Sequence, residues 1–396
     1  MSKSSFDSLL EKLAPSLENS VLVIPMHYIL GSALFRLAHG GSYKAVGRRF
    51  GMESEDACRA FYEVCKAVND ELSDLFELST DLKRVVDGFG WISLPNCCGV
   101  LGFSQFLVEG NVGRVVVQGL VDSEGRFLDV SAGWPSEMSP TTILAQTKLF
   151  SRVEESEELF NGALFELQSG NLIPQYILGN SCYPLLPWLL TPYPISNMDE
   201  DCISNFSEQS FNTTHSKAME FVSMAFARVR ACWKLLSTKW KEECVEFLPF
   251  VILTGCLLHN FVIKCGDLVP DEIEVQSKDQ EFPVFEGKGN VNGERIRDTL
   301  ACHLCLLVSF GMSVTSEDLN DAKLLIDRLG IMATYRQSTP TSCIWTKPDG
   351  DTVKLNSDAS RMMIIFEPEA PFEIAMEMFF LFTQVQEVPG LFYIKK

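Results

Sequence analysis

The feature that most limits how this chain can fold is a β-branched run at residues 112–120, with three consecutive valines at its centre. β-Branched side chains favour extended backbone and pack well on a pleated surface. A polar turn at residues 122–125 ends in glycine, and residues 126–130 then have the pattern of a partner strand. Residues 101–108 predict a further strand before this hairpin. The centre of the chain therefore predicts a sheet of three antiparallel strands.

Beyond the hairpin the pattern changes to helices with one further strand. The predicted elements are, in order, a helix at 141–150 running into an acidic patch at 154–158, a strand at 175–178, a compact helical segment at 184–190, a polar loop at 197–210, and long helices at 216–234 and 241–264. Three antiparallel strands, a helix, a further strand and long flanking helices are the order of an RNase H-like core. The predicted fold class is therefore α/β.

The N-terminal region is predicted to be helical. Residues 6–38 have helical periodicity with interruptions near Pro15 and Pro25, because proline lacks the amide donor that a helix interior needs. Two glycines then end this stretch, and Ser42 is placed to cap a short helix at 43–50.

Residues 28–70 resemble a helix-turn-helix, with a longer second helix at 54–70 after a tight glycine turn. In a DNA-binding protein of this kind, the first turn of the second helix meets base edges and phosphates. Here that turn carries carboxylates, at Glu53, Glu55 and Asp56. A structural three-helix bundle is therefore the favoured interpretation, and surviving DNA binding is the alternative.

The C-terminal part predicts a small α+β module after an acidic, proline-containing connector. Helices are predicted at 296–310 and 316–329, strands of period two between 331 and 366, and a strongly apolar helix at 372–386. The predicted divisions of the chain are 1–90 (helical), 91–265 (RNase H-like core), 266–290 (connector) and 291–396 (C-terminal helices and module).

The charge of the chain limits its partners. It has 52 acidic and 33 basic residues and a formal net charge of −19. Nucleic-acid affinity rests largely on lysine and arginine contacts to phosphate, so this charge disfavours DNA binding unless a basic face is segregated. An acidic chain suits a basic partner, such as a DNA-binding subunit.

The cysteines and the apolar runs indicate an intracellular, soluble protein. Thirteen scattered cysteines without a secretory signal are best explained as reduced thiols that are mostly buried. The single CxxC, Cys302 to Cys305, lacks a second ligand pair, so core cysteines are favoured over a zinc site. Residues 247–263 are the most apolar run, but they include Pro249, His259 and Asn260 and predict a buried helix rather than a membrane span.

Several motifs resemble the plant PIF/Harbinger transposase family and its domesticated descendants, the group of Harbinger transposon-derived proteins and antagonists of like heterochromatin protein. Their order and spacing match together over about residues 28–265. They are Asn96-Cys97-Cys98-Gly99-Val100-Leu101, the run from Val117 to Phe127, Ser131-Ala132-Gly133-Trp134-Pro135, the run from Gly179 to Leu189, Thr191-Pro192-Tyr193, Phe211-Asn212-Thr213-Thr214-His215-Ser216 and Leu257-Leu258-His259-Asn260-Phe261.

The resemblance implies a nuclease whose three carboxylates hold two metal ions, and this chain departs from it at all three positions. The positions that the family motifs give for the carboxylates are occupied by Gly102, Asn180 and Ser223. Two divalent ions need carboxylates to offset their charge and fix their geometry. We therefore expect no metal, no cofactor and no nuclease activity. A site rebuilt from nearby acids, at Glu109, Asp122 or Asp129, is the less favoured alternative.

The favoured function is a scaffold in the nucleus. The family transposase needs a Myb/SANT-like partner to enter the nucleus and find DNA, so the resemblance implies such a partner and a chromatin-modifying complex, either Polycomb-linked or anti-silencing. No lysine- and arginine-rich localisation cluster is visible, so nuclear entry would depend on that partner. Exposed apolar surface is expected at the interface, and the aromatic run Phe379, Phe380 and Phe382 is one candidate.

The alternative function is residual nucleic-acid binding or weak metal-dependent cleavage. Arg228, Arg230 and Lys234 form a basic run on and after the helix that would face DNA in an active transposase. A solvated helix face is the favoured interpretation of this run. Oligomeric state is left open, with a homo-oligomer as one option.

Overall fold

A computed structural model of the chain describes residues 1–315, apart from residues 19, 21, 77, 79–81, 111–112, 157, 195–202, 242–244 and 268–281. The chain divides into two compact units, Met1–Ala301 and Cys302–Lys396. Of the second unit the structure describes the end of one helix. The predicted C-terminal module, with Phe379, Phe380 and Phe382, lies outside the described residues, and so does most of the acidic connector.

Four helices form the N-terminal region: α1 (Lys3–Leu17), α2 (Met26–His39), α3 (Tyr43–Phe50) and α4 (Ser54–Glu71). The interruption predicted near Pro15 falls slightly later, because α1 continues through Pro15 and ends at Leu17. Pro25 directly precedes α2, where its missing amide donor is harmless. The predicted cap is confirmed, since the Ser42 hydroxyl accepts a hydrogen bond from the amide of Ala45.

The helix-turn-helix pattern corresponds to α2, α3 and α4. The face predicted for the longer helix is buried, with Ala57, Phe61, Val64, Cys65 and Val68 each at most 1% exposed. This face packs against α1, α2 and α3 and against a later helix, α10 (Leu248–Lys264).

A mixed five-stranded sheet lies at the centre of the first unit. Its strands, in the order β3-β2-β1-β6-β7, are β1 (Cys97–Leu107), β2 (Arg114–Val121), β3 (Phe127–Pro135), β6 (Tyr176–Gly179) and β7 (Leu189–Leu190). The first three are antiparallel, and β6 and β7 run parallel to β1. The predicted strands at 101–108, 112–120, 126–130 and 175–178 are confirmed, with shifted ends.

Between β3 and β6 the chain forms short elements. They are α6 (Pro140–Gln146), α7 (Lys148–Phe150), a π-helical turn (Ser151–Glu155) and a two-stranded hairpin of β4 (Phe165–Glu166) and β5 (Leu172–Ile173). Before the sheet stand a 3₁₀ turn (Ser73–Leu75) and α5 (Leu82–Gly90).

Two predictions in the second half of the core are wrong. The compact helical segment at 184–190 is instead a turn leading into β7, because Pro184 and Pro187 remove two amide donors within four residues. The polar loop at 197–210 is helical from residue 203, where the long helix α8 (Ile203–Cys232) begins. Its polar residues Ser210 and Thr213 donate hydrogen bonds to carbonyls one turn back in the same helix.

The remaining helices are α9 (Lys234–Ser237), α10 with a 3₁₀ turn before it (Val245–Phe247), and α11 (Val291–Thr315). The segment Val245–Lys264 is long and apolar enough to cross a membrane. The buried-helix interpretation of this run is confirmed, because α10 packs against β3 and α4 and most of its side chains are buried. The core position predicted for the CxxC pair is wrong for Cys302, which is exposed on α11; Cys305 is half-buried.

Candidate functional site

The three positions named from the nuclease motifs lie on neighbouring elements of the core. Gly102 is in the middle of β1, and the parallel register pairs its neighbour Leu101 with Gly179 on β6. Asn180 directly follows Gly179, so the register places it beside Gly102. On the face of the sheet covered by α8, the side chain next to Ser223 in sequence, Val222, lies against Gly102. The register therefore places the first two positions side by side, and Ser223 follows on α8 the residue that covers Gly102.

The space above Gly102 is filled by an apolar side chain. A Cβ added at Gly102 would lie 2.8 Å from Cγ1 of Val222, closer than real Cβ contacts. Across the strands, Gly119 pairs with Gly102, and a Cβ added there would lie 2.8 Å from the ring of Phe226. Val222 and Phe226 are one helical turn apart and almost fully buried. Helix α8 therefore packs closely on the sheet where the first carboxylate would stand.

The residues present do not fit a pair of divalent metal ions. Asn180 is half-buried and offers at most a neutral amide oxygen, and Ser223 is exposed with its hydroxyl directed to the carbonyl of Met219 in its own helix, at 3.4 Å. Within the part of the chain that the structure describes, no group of three or more His, Cys, Asp or Glu side chains is arranged to hold a metal ion. Such ions require several charged oxygen ligands.

The nearby acid Asp122 has a structural role. Its side chain is fully buried and accepts hydrogen bonds from the amides of Glu124 and Arg126, each at 2.9 Å. Arg84 on α5 forms an ion pair with it, also at 2.9 Å. Burial raises the pKa of Asp122 in spite of these partners. This carboxylate therefore fixes the β2–β3 turn, and its bonding capacity is used there.

His215 supports the strand end that carries Asn180. It projects from α8, is 4% exposed, and its Nε2 lies 3.0 Å from the carbonyl oxygen of Gly179. Because a carbonyl can only accept, Nε2 carries the proton. Burial lowers the pKa of His215 to about 4, which keeps the ring neutral at neutral pH.

Asn212, one turn before His215, holds the segment that follows β7. Its carboxamide oxygen accepts from the amide of Tyr193 at 2.9 Å, and its amide nitrogen donates to the carbonyl of the same residue at 3.1 Å. The ring of Tyr193 lies under the guanidinium of Arg297, 3.8 Å from its centroid, and its hydroxyl donates to Asp298 at 2.5 Å. The Phe-Asn-x-x-His motif therefore holds the backbone at two places, Tyr193 through Asn212 and Gly179 through His215.

The Leu-Leu-His-Asn-Phe motif on α10 clamps the β2–β3 turn. Nε2 of His259 donates to the carbonyl of Gly125 at 3.0 Å, and the carboxamide of Asn260 bonds both the amide and the carbonyl of Phe127, at 2.9 and 2.7 Å. Asn260 also donates to the carbonyl of Leu75 at 3.0 Å. The interpretation of His259 as a buried, hydrogen-bonded histidine is confirmed.

The opposite face of the sheet is closed by aromatic side chains. Phe103 stacks on Tyr183 with 5.0 Å between centroids, and the Tyr183 hydroxyl donates to Gln118 at 3.0 Å. Phe282, in the later part of the acidic connector, also packs on Phe103. Three residues later the amide of Phe285 donates to the carbonyl of Ser181. The chain thus covers its own sheet here.

The three residues of the basic run, Arg228, Arg230 and Lys234, lie in different environments. Arg230 donates to the hydroxyl of Ser104 at 2.5 Å and to the carbonyl of Gln105 at 2.9 Å, so it ties α8 to β1. Arg228 is half-buried near the β2–β3 turn, and Lys234 at the start of α9 is exposed. Nucleic-acid contact by these residues stays a prediction.

The face of α4 that would read DNA is mixed in charge. Its leading turn lines a groove of about 790 Å³. The groove contains Glu55, Arg59, Glu63 and Lys66, together with four aromatic side chains, Tyr43, Tyr62, Phe247 and Phe250. Equal numbers of carboxylates and cations do not make the basic surface that a phosphate backbone needs.

Sequence motifs located the three degenerate positions, but they did not indicate Val222. No single position signals it, because its role depends on the distance between α8 and β1. The paired glycines at 102 and 119 are the one sequence sign of a close helix–sheet approach, and their pairing needs the strand register.

Comparison with known proteins finds similarity to a transposase-related endonuclease domain and to Harbinger-derived proteins. Residues 113–260 match the DDE superfamily endonuclease model. This range of the chain includes Asn180 and Ser223 and begins after Gly102. A protein named ALP1-like from Arabidopsis thaliana is 28% identical over 292 residues, 69% of this chain and 70% of that protein. Antagonist of like heterochromatin protein 1, also from Arabidopsis thaliana, is 29% identical over 259 residues, 61% of this chain and 63% of that protein.

A more distant relative is HARBI1 of Bos taurus, named a candidate nuclease, at 22% identity over 321 residues, 74% of this chain and 84% of that protein. The chain spans just under two thirds of the length of Antagonist of like heterochromatin protein 1. No solved structure matches the chain at significant similarity. The resemblance to Harbinger-derived proteins stated from the sequence motifs is confirmed.

Proposed function

Because this chain is related to the domesticated Harbinger-derived transposase proteins and contains a DDE superfamily endonuclease domain, we propose that it is a catalytically silent scaffold with an RNase H-like core. The observation that carries the proposal is the site itself. None of its three positions carries a carboxylate, the first two lie side by side, and a buried valine fills the space above the first.

The chemistry explains why this site is silent. Phosphodiester cleavage by two metal ions needs carboxylates that bridge and flank the ions. A glycine, an amide and an exposed hydroxyl supply no negative charge, and a cation there would lie against Val222 and the sheet. The hydrogen bonds of His215, Asn212, His259 and Asn260 keep the fold without taking part in any reaction.

The partner we propose is a Myb/SANT-like DNA-binding protein, and the setting is a chromatin-regulating complex in the nucleus. The name of one relative, Antagonist of like heterochromatin protein 1, is consistent with that setting. The charge of −19 disfavours direct contact with DNA and favours a basic partner that supplies it.

Affinity purification of the tagged chain from nuclear extract tests this proposal. We expect a Myb/SANT-like protein and chromatin-modifying subunits to co-elute and to remain after nuclease treatment of the extract. Recovery of DNA alone, lost as salt is raised, would instead favour the nucleic-acid alternative.

The alternative rests on one observation, the exposure of Lys234, Lys239 and Lys241 after α8. A gel shift at two salt concentrations, with a variant in which these lysines are changed to glutamine, tests it. Binding that the variant loses would support a residual nucleic-acid function. We expect wild type and variant to behave alike, with no shift at physiological salt.

A further inference from the structure

The β4–β5 hairpin presents apolar side chains to solvent. Leu164, Phe165 and Leu172 are 55%, 44% and 57% exposed. They lie within a run, residues 161–172, in which only Leu167 is buried. Single exposed apolar residues are ordinary on protein surfaces, but a local group of three on one small element marks an interaction surface.

The hairpin is held in place from beneath. The buried side-chain amide of Asn96 donates to the carbonyls of Ala163 and Ile173, both at 3.1 Å, and so joins the two arms of the hairpin. Leu167 and Ile173 are almost fully buried. The register pairs Leu172 with Glu166 and pairs Phe165 with the buried Ile173, so Leu164, Glu166 and Leu172 share one face of the hairpin and Phe165 is on the other. Because the arms are fixed, the hairpin presents the two leucines beside a carboxylate.

The hairpin also lies within a stretch of one-sided charge. Between Arg152 and Lys217 the sequence has no lysine or arginine, and it has nine Asp or Glu residues. Glu154, Glu155 and Glu158 are exposed just before the hairpin, and Glu166 is exposed on β4. Arg152 pairs with Glu158 at 3.2 Å, and Glu155 and Glu166 are further exposed carboxylates in this stretch.

We propose that this hairpin, residues 161–173, is a docking surface for a basic amphipathic segment of a partner protein. Leu164 and Leu172 form the dry centre of the contact, and the carboxylates form a rim that attracts lysine and arginine. Nucleic acid does not fit, because the rim would repel phosphate. A second copy does not fit either, because it brings the same carboxylates. The proposal rests on the scaffold function and names its surface.

A defined peptide tests the proposal on the full chain. The probe is a synthetic helical peptide with leucine on one face and lysine on the other, compared with the same peptide carrying glutamate in place of lysine. A benzophenone group on the leucine face allows photo-crosslinking. We expect wild type to bind the lysine peptide, with adducts on residues 161–173, and not to bind the glutamate peptide.

Two variants separate the apolar centre from the rim. L164S/L172S should weaken binding about tenfold or more, because it removes the buried centre of the contact. E155Q/E166Q should weaken it about threefold and reduce its dependence on salt. The matched controls, V23S/Y28S and E11Q/E246Q, change equally exposed residues elsewhere and should bind as wild type does. Thermal unfolding within about 2 °C of wild type verifies that each variant is folded.

The proposal is overturned if the hairpin variant binds the lysine peptide as wild type does. It fails as well if the control variants weaken binding equally, because the attraction would then come from the overall charge of the chain. It is also overturned if the chain self-associates and only the hairpin variant is monomeric. Nuclear affinity purification separates this result from the scaffold function. If the hairpin variant still captures the Myb/SANT-like protein, the surface is wrong and the scaffold stands; if wild type captures none, the scaffold fails.

Discussion

The centre of the candidate site lacks the carboxylates that the nuclease motifs lead one to expect, whereas the residues around it form the hydrogen bonds that hold the fold. At the centre, Gly102, Asn180 and Ser223 stand where metal-binding carboxylates are expected. Around it, Asn212 and His215 hold the backbone through hydrogen bonds of 2.9 to 3.1 Å. Catalytic carboxylates repel one another and do little for folding, whereas buried backbone groups left without partners destabilise it. Chemistry can therefore be lost while the fold is kept.

The largest effect expected from a single substitution comes from breaking one of the hydrogen-bonded contacts that hold the backbone. Asn260→Ala removes three hydrogen bonds from backbone groups of Phe127, which is buried, and of Leu75, which is half-buried. We expect the free energy of unfolding to fall by about 3–5 kcal/mol, since each unsatisfied buried group costs about 1–3 kcal/mol. Urea denaturation measures this loss. Asn171→Ala, which removes an exposed contact with Ser169, is the control and should change stability by less than about 0.5 kcal/mol.

The second effect is a dependence of folding stability on pH, which comes from the buried histidines His215 and His259. Burial lowers the pKa of His215 and of His259 to about 4, from the ordinary 6.5. Between these values the unfolded chain binds protons that the folded chain does not, so stability is full above pH 6.5 and falls as pH drops to 4. The loss is about 3 kcal/mol for each histidine. Urea titrations across this window measure it.

The control for the pH dependence is His259→Gln, which should remove about half of the slope between pH 6.5 and 4. The raised pKa of Asp122 acts in the opposite direction, because its folded form takes up a proton first, and it offsets part of the loss at the acidic end. A slope unchanged in the variant would show that His259 is not held neutral by burial.

The third effect comes from returning a carboxylate to the centre. Gly102→Asp should lower stability by about 2–4 kcal/mol, because the new side chain overlaps Val222 and buries a charge. A double-mutant cycle with Val222→Ala should give a coupling of about 1 kcal/mol, since the smaller side chain relieves the overlap. Gly90→Asp is the control, because a Cβ there meets nothing within 4 Å. Additive effects of Gly102→Asp and Val222→Ala would show that the two side chains do not compete.

The smallest effect is expected at the other two central positions. Asn180→Ala and Ser223→Ala should each change stability by less than about 0.5 kcal/mol, because neither side chain supports a buried element. Thermal unfolding and capture of the nuclear partner measure stability and function together. A loss of partner capture in either variant would show that the centre of the site takes part in binding the partner, contrary to this prediction.

The sheet was predictable from the sequence because its signals are local. The valine run, the turn that ends in glycine and the strand-like pattern at 126–130 predict β2 and β3 without knowledge of the fold. The segment at 184–190 misled because its leucines resemble a helical pattern, and β7 forms only through pairing with β6. The start of α8 was missed because polar residues such as Ser210 are typical of loops, but here they bond back to the helix.

The candidate site was predictable only in part. Motif spacing identified Gly102, Asn180 and Ser223, and strand register then placed the first two side by side. The overlap with Val222 depends on how closely α8 approaches β1, which no local pattern encodes. The hairpin at 161–173 was likewise missed, because exposure of Leu164, Phe165 and Leu172 is a property of the fold; the sequence showed only the acidic patch beside it.

The most direct test of the account is calorimetric titration of the folded wild-type chain with Mn²⁺ and Mg²⁺ at millimolar concentration, followed by a plasmid-cleavage assay in the same buffers. The account predicts no stoichiometric binding and no cleavage, because no carboxylate stands at Gly102, Asn180 or Ser223. Binding of one or two ions per chain that is lost in Asn180→Ala, together with cleavage lost in the same variant, would contradict it.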